Sequence, residues 1–254
     1  MAIRNVLIHV ADLDRSVRFY TDMLGGEVIE RTGADRAVLD FVTATIELVR
    51  VDDAQPPTWE DDDQVLGFRH IGFKVAAVDP LVARLKASGV EFRLDPLDAT
   101  GGVRIAFFFD PDGTVLEIVE GMITYHEVVD EAGVATERAM GTPDRPRFDH
   151  VGVTIRDLAA TADDYGRLGF ANIGTLHLED PRGFRIDYLK GGDSVIEVFT
   201  FEAGVRSIPP RIDALGFVAI GLDDGGEPPG QPIGTIDGGP VFADANDLTF
   251  TTGR

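Results

Sequence analysis

Residues 3–10, Ile3-Arg4-Asn5-Val6-Leu7-Ile8-His9-Val10, form a run rich in β-branched and apolar side chains that reads as a strand. Asp12 then supplies an N-cap, and Leu13, Val17, Tyr20 and Leu24 recur at helical spacing before Gly25-Gly26 stops the helix. Three further apolar runs complete a β-α-β-β-β unit. The same order recurs from Phe148-Asp149-His150-Val151-Gly152-Val153-Thr154-Ile155 through Asp157-Leu158 to Leu168-Gly169. A second variety opens at Phe68-Arg69-His70-Ile71-Gly72-Phe73-Lys74-Val75. The pattern after it predicts a helix near 79–88 and strands at 90–94, 103–109 and 114–119, with Asp110-Pro111-Asp112-Gly113 as a turn. Leu215-Gly216-Phe217-Val218-Ala219-Ile220-Gly221-Leu222 echoes Leu66-Gly67-Phe68-Arg69-His70-Ile71-Gly72-Phe73 and opens a fourth unit. Eleven Gly or Pro in 221–240 argue against a full helix there. An internal repeat of this kind decides the fold before any single motif does. The expectation is an α+β chain of four units, at 3–51, 67–121, 148–201 and a degenerate 214–252. They group as modules 1–121 and 148–254 around a linker at 122–147, with shorter linkers at 52–66 and 202–213.

Composition narrows the chemistry. The chain has 254 residues, and its 44 acidic against 23 basic side chains give a net charge of −21, which repels nucleic acid and anionic membrane alike. The absence of cysteine excludes disulfides, thiolate nucleophiles, iron–sulfur clusters and Cys-ligated zinc, leaving His and carboxylates as metal ligands. No window approaches the roughly 18 apolar residues of a membrane span, and the start of the chain lacks a signal-peptide core. The expectation is a cytoplasmic protein, monomeric or homodimeric, that meets a small molecule. The charge is uneven: residues 52–63 hold six acids and residues 212–253 seven, with no base in either. That pattern reads as solvation of segments away from the chemistry.

Three motifs carry a resemblance. They are His150-Val151-Gly152-Val153 with Asp157-Leu158, Asp12-Leu13 with Ser16 and Phe19-Tyr20, and Asp110-Pro111-Asp112-Gly113 leading to Leu116-Glu117-Ile118. Over nearly its whole length the chain resembles the vicinal oxygen chelate superfamily of glyoxalase I, methylmalonyl-CoA epimerase, extradiol dioxygenases and the fosfomycin and bleomycin resistance proteins. The resemblance implies that two units pack into a half-open mixed β-barrel around one divalent metal ion, each giving a ligand from its first strand and one from its fourth. The first-strand positions are then Asn5, His70, His150 and Ala219, and the fourth-strand positions Glu47, Glu117, Glu197 and Thr249. His9 lies four residues out of register. His70 to Glu117 and His150 to Glu197 each span 47 residues; Asn5 to Glu47 spans 42 and Ala219 to Thr249 spans 30. If units pair one with two, a site of Asn5, Glu47, His70 and Glu117 faces a crippled one. If the inner units pair, His70, Glu117, His150 and Glu197 form one complete metal site. The second is preferred, because it gives His150 and Glu197 intact partners.

Two imidazoles and two carboxylates leave a divalent ion neutral and suit Zn, Ni, Co, Mn or Fe. Four such ligands imply, by the same resemblance, a glyoxalase- or epimerase-like isomerase or lyase acting through a metal-stabilised enediolate or enolate on a small oxygenated substrate, with Glu117 and Glu197 as catalytic groups. An Fe(II) extradiol-type dioxygenase, which needs two His and one Glu, and a non-catalytic binding or resistance protein are the alternatives, since a fold does not fix a function. One strand histidine is more often structural than ligating; four residues in register within apolar strands, where an unpaired carboxylate is costly, weigh the other way. Other residues read more plainly: His9 as core or rim, His126 and His177 as surface, Phe107-Phe108-Phe109 as core with one ring in a pocket, and Trp59 as an anchor or a lid. Relatives that meet a thiol's carboxylate place an Arg four positions after the first-strand His. Here that position holds His9, Lys74 or Thr154, and Lys74 reads as a carboxylate partner or as surface.

Overall fold

A computed structural model describes residues 2–222 and 228–252. The first unit comprises β1 (Ile3–Val10), α1 (Leu13–Arg18) continuing as a π-helical turn over Phe19–Met23, β2 (Glu27–Thr32), β3 (Arg36–Asp40) and β4 (Thr45–Arg50). The second has β5 (Gly67–Lys74), α2 (Val78–Ala87), β6 (Phe92–Ala99), β7 (Val103–Phe109) and β8 (Val115–Glu120). Between the second and third units lie β9 (Glu127–Val128) and α3 (Glu131–Ala139), the latter capped by the Asp130 carboxylate on Ala132 N. The third unit is β10 (Arg147–Thr154), α4 (Leu158–Arg167), β11 (Ala171–His177), β12 (Phe184–Gly191) and β13 (Ser194–Phe201). The fourth is β14 (Gly216–Leu222), β15 (Gln231–Ile236), β16 (Gly239–Ala243) and β17 (Thr249–Thr252). Part of the Gly/Pro-rich stretch, 223–227, lies outside the described residues; from Gln231 the chain is again strand. No helix among the described residues is long and apolar enough to cross a membrane.

The units pair neither one with two nor three with four. One sheet runs β15-β16-β17-β14-β1-β4-β3-β2 and joins the outer units; the other runs β6-β7-β8-β5-β10-β13-β12-β11-β9 and joins the inner ones. Each sheet is mixed and open, with its two units meeting at an antiparallel seam, β1 against β14 or β5 against β10. One hydrophobic core takes Val6, Ile8, Ile220 and Phe250 from the first sheet and Ile71, Phe73, Val151 and Ile196 from the second, with buried residues of α1, α2 and α4. Strand alternation therefore sends Asn5, His70 and His150 to the faces turned away from that core.

Each seam carries two β-bulges. On β10 the register steps from Phe148↔Phe73 to His150↔Gly72 and skips Asp149; on β5 it steps from Gly152↔His70 to Val153↔Phe68 and skips Arg69. Arg4 and Val218 are skipped likewise in the outer seam. A bulge re-aims the extra residue, which becomes important at the site.

The motifs at 12–20 and 110–113 prove to be two halves of one contact. Asp112 Oδ1 accepts from Ala11 N and Arg15 Nη2, Asp112 Oδ2 accepts from Ser16 Oγ, and Tyr20 donates to Asp110 Oδ2 at 2.9 Å. The fourth unit repeats the device on the third. Tyr165 donates to Asp244 Oδ2, and Asn246 donates to Thr161 Oγ1 while accepting from Arg156 N. Units one and two, and units three and four, are thus tied by buried polar sockets, while units two and three, and units one and four, are tied by sheet. Asp112→Ala leaves the Ala11 amide and the Ser16 hydroxyl without their acceptor. An expected loss of about 2–3 kcal/mol, read by urea denaturation with an unchanged slope, checks the socket.

Candidate metal centre

In the inner seam Gly152 stands opposite His70 and Gly72 opposite His150. In the flanking parallel pairs Gly72 lies beside Glu117, and Gly152 beside Glu197. This register sends all four polar side chains to one point. His70 Nε2 and His150 Nε2 are 3.0 Å apart; Glu117 Oε2 lies 3.2 and 2.9 Å from them, and Glu197 Oε2 3.2 and 3.6 Å. All four are buried, with one ligand atom of each within 4.8 Å of the others. Donors 2.9–3.6 Å apart have the spacing of neighbours around a single ion roughly 2.1 Å from each, so the set fits a divalent cation. The glycines are a packing requirement: a Cβ at position 72 would stand 2.1 Å from His150 Cε1, and one at 152 would stand 2.0 Å from His70 Cε1. The His-x-Gly spacing is therefore one imidazole lying across the partner strand's bare backbone.

Neighbouring groups fix the orientation of this set. Asp149, turned by its bulge, places Oδ2 3.1 Å from His150 Nδ1. A carboxylate can only accept, so Nδ1 donates to it, which leaves Nε2 as the nitrogen that would meet a metal ion once the proton it shares with Glu117 Oε2 is displaced. Tyr188 donates to Glu197 Oε1 at 2.8 Å, leaving Oε2 toward the histidines. Burial opposes charge on Glu117, yet hydrogen bonds to His150 and His70 hold its carboxyl down to about 2. Burial likewise pushes His150 down, and Asp149 and Glu117 reverse this and hold it well above the usual imidazole range. Removing an outer partner of a ligand costs 10–100-fold in metal affinity or activity. Tyr188→Phe is accordingly expected to weaken metal binding by about 10-fold or more, measured by competition with a chromophoric chelator.

The four residues sit in a cleft of about 560 Å³. Phe107 lines it, its ring edge-on to His70 at 5.2 Å, while Phe108 joins the core and Phe109 packs on Trp59. Several residues occupy places that the sequence did not suggest. The acidic 52–63 stretch is not remote from the site, because Trp59, Asp61 and Asp63 wall the cleft. Lys74 is not a surface residue: it is 5% exposed, donates to Gly121 O at 2.8 Å and lies 4.0 Å from Asp149. Glu137 of α3 also reaches the cleft and accepts from Tyr125. Arg69 lines it as well, and burial pushes its guanidinium down to about 10. The helical signal Asp130-Glu131 could have disclosed α3; no strand pattern discloses a bulged Arg69. His177 pairs with Glu127 at the surface and stacks on His126, and Thr154 donates to Asp63 O. His9 is buried with Nδ1 3.2 Å from Ala214 O.

The outer seam is the same architecture with Glu47 left as its one carboxylate and no imidazole at the corresponding positions. Asn5 donates to Glu47 Oε2 at 2.9 Å, and Arg36 Nε lies 2.6 Å from Glu47 Oε1. Leu7, Val218, Ala219 and Val241 fill the corresponding concavity. A guanidinium now balances the carboxylate that the inner seam directs at its centre.

Comparison with known proteins places this architecture. The profile of the Glyoxalase/Bleomycin resistance protein/Dioxygenase superfamily matches residues 2–118. The uncharacterized protein YwkD of Bacillus subtilis is 34% identical over 128 residues, which cover 47% of this chain and 96% of that protein. A Vibrio parahaemolyticus protein named "Probable lactoylglutathione lyase" is 30% identical over 131 residues, 46% of this chain and 89% of its own. Each relative spans about half of this chain, as a protein of tandem modules requires. The crystal structure of glyoxalase I from Zea mays superposes with a TM-score of 0.67 over 99% of this chain and 91% of that one, at 21% identity, a likeness of fold. The paired β-α-β-β-β units and the sequence relatives agree: the chain belongs to the glyoxalase/bleomycin resistance protein/dioxygenase superfamily.

Proposed function

We propose that this protein is a divalent-metal-dependent isomerase or lyase that moves a proton next to a carbonyl of a small oxygenated substrate. The observation that carries the reading is the convergence of His70, Glu117, His150 and Glu197 in one buried cleft. His70 Nε2, His150 Nε2 and the two Oε2 atoms would hold the ion, and this donor set suits zinc, nickel, cobalt, manganese or iron. Such an ion supplies Lewis acidity, drawing charge onto substrate oxygens so that the neighbouring C–H is easier to deprotonate. The two glutamates then divide the work. Glu197 is held through Oε1 by Tyr188 and acts as an anchor. Glu117 Oε1 makes no hydrogen bond to a described residue, which leaves that carboxylate the freer one to rotate and take the proton as general base. Phe107 and Phe199 wall the cleft beside His70 and limit water around that transfer.

Metal analysis of the purified protein tests the first half of the reading. Proton exchange from substrate carbon into D2O, followed by NMR over a panel of hydroxy-acids, oxo-acids, thioesters and thiol adducts, tests the second. A protein that loads no divalent ion, or that loads one and exchanges no proton in any panel member, would overturn it. Oxygen uptake with catechols under Fe(II) would instead identify a dioxygenase, a reading that leaves the tyrosine-anchored Glu197 without a part.

A further inference from the structure

The two bulged residues of the inner seam are related by the same local two-fold as the histidines that follow them, yet they carry opposite charges. Asp149 meets His150 Nδ1 and Lys74. Arg69 meets no carboxylate within ion-pairing distance among the described residues. It is 6% exposed, and its Nε and Nη1 donate to the carbonyls of Phe68, Glu60 and Asp62. Its Nη2 makes no hydrogen bond to a described residue, and the side chain borders the cleft. Arg93 stands at the same end, and Trp59 lies against both guanidiniums, 6.0 and 5.4 Å from its ring centre. Asp61 and Asp63 also line that end, but Arg93 already engages them, at 2.6 and 3.4 Å. What remains is one buried guanidinium bordering the cleft, held by three carbonyls, with Nη2 unengaged by a described residue and with Asp62 and Asp63 acting on its charge without pairing with it. A buried cation is costly until an anion pairs with it.

We infer that Arg69, supported by Arg93, receives a carboxylate of the substrate, so that the substrate is an acid whose oxygenated end lies at the His/Glu centre and whose carboxylate lies beneath Trp59. The site rests on reading the cleft as the substrate's. Nη2 of Arg69 offers a carboxylate a charge-assisted N–H, and the neighbouring guanidinium of Arg93 adds a second positive charge. A dianionic phosphate fits worse, because Asp61 and Asp63 stand beside it. Arg69 is a specificity residue in this scheme and takes no part in moving the proton.

The test uses the monohydroxamates of succinic, glutaric and adipic acid against butano-, pentano- and hexanohydroxamate, in which a methyl group replaces the carboxylate. Titration calorimetry on metal-loaded protein is expected to show the best-fitting acid binding about 10-fold or more tighter than its methyl partner, and tighter than its phosphonate counterpart. The preference should vanish in Arg69→Met, persist in part in Arg69→Lys and weaken in Arg93→Met, with metal content the same in all. Arg93 holds no backbone carbonyl, so its variant reads recognition even if Arg69→Met folds poorly. Chelator-stripped protein should show the same preference at lower affinity, which separates the two readings. Loss of metal with the preference intact removes the proposed activity and spares the inference. Equal binding of acid and methyl partners in both forms, or a preference unchanged in Arg69→Met, overturns it.

Discussion

Glu117→Gln protein is expected to emerge from dialysis with less than about a tenth of the native metal content and to turn over substrate roughly 10³-fold more slowly. The substitution removes one of the two negative charges that neutralise a divalent ion and also the group proposed to take the proton. Gln keeps the shape and one acceptor oxygen, so the fold should persist; far-ultraviolet circular dichroism would confirm that. Glu197→Gln loses metal by the same charge argument but keeps the base. With excess metal it should regain much of its turnover, whereas Glu117→Gln should not. Metal content unchanged in both variants would sink the centre itself, and equal rescue of both would sink the division of labour between them.

The second large effect comes from a residue with no functional group. Gly152→Ala sets a methyl 2.0 Å from His70 Cε1, far inside any real contact, and the backbone beside it is fixed by strands on both sides. The ring must turn, and Nε2 leaves its place 3.0 Å from its partner imidazole. Overpacking of this kind costs about 1–3 kcal/mol, and metal affinity should fall by about 100-fold or more, as when a ligand's support is lost. Gly221→Ala is the control. Its methyl would stand 1.8 Å from Asn5 Oδ1 in the outer seam, so it should destabilise the protein by a similar amount with metal content untouched. Calorimetric melting beside metal analysis separates the two; a Gly152→Ala protein that keeps full metal occupancy would show that the His-x-Gly spacing is incidental.

Much of this was readable along the chain because the signals are local. Asp12 and Asp157 cap their helices, Gly25 and Gly169 take the positive φ that ends them, and strand boundaries follow the apolar runs. The pairing of units was readable less directly, from the fact that only His70, Glu117, His150 and Glu197 make a complete set. What escaped belongs to two segments at once. Alternation puts Arg69 and Asp149 on the core side, and only the neighbouring strand's register makes each the residue left over. Lys74 reads equally as a carboxylate partner or as surface until Gly121 and Asp149 close on it, and Asp61 and Asp63 read as solvated linker until that linker, with Trp59 as its anchor or lid, folds over the cleft. Strand period and composition describe one segment; a bulge or a lid is a relation between segments.

The two seams also bear on how such a chain can diverge. In a symmetric dimer of identical single modules, any substitution at the first-strand position would strike both copies of a seam together. Covalent fusion breaks that obligation. Ala219 and Asn5 can stand in one seam while His70 and His150 stand in the other, and Leu7 can fill one concavity while its counterpart stays open. One gene then encodes a pocket that keeps the four donors and one that has lost most of them, and the second is free to become framework.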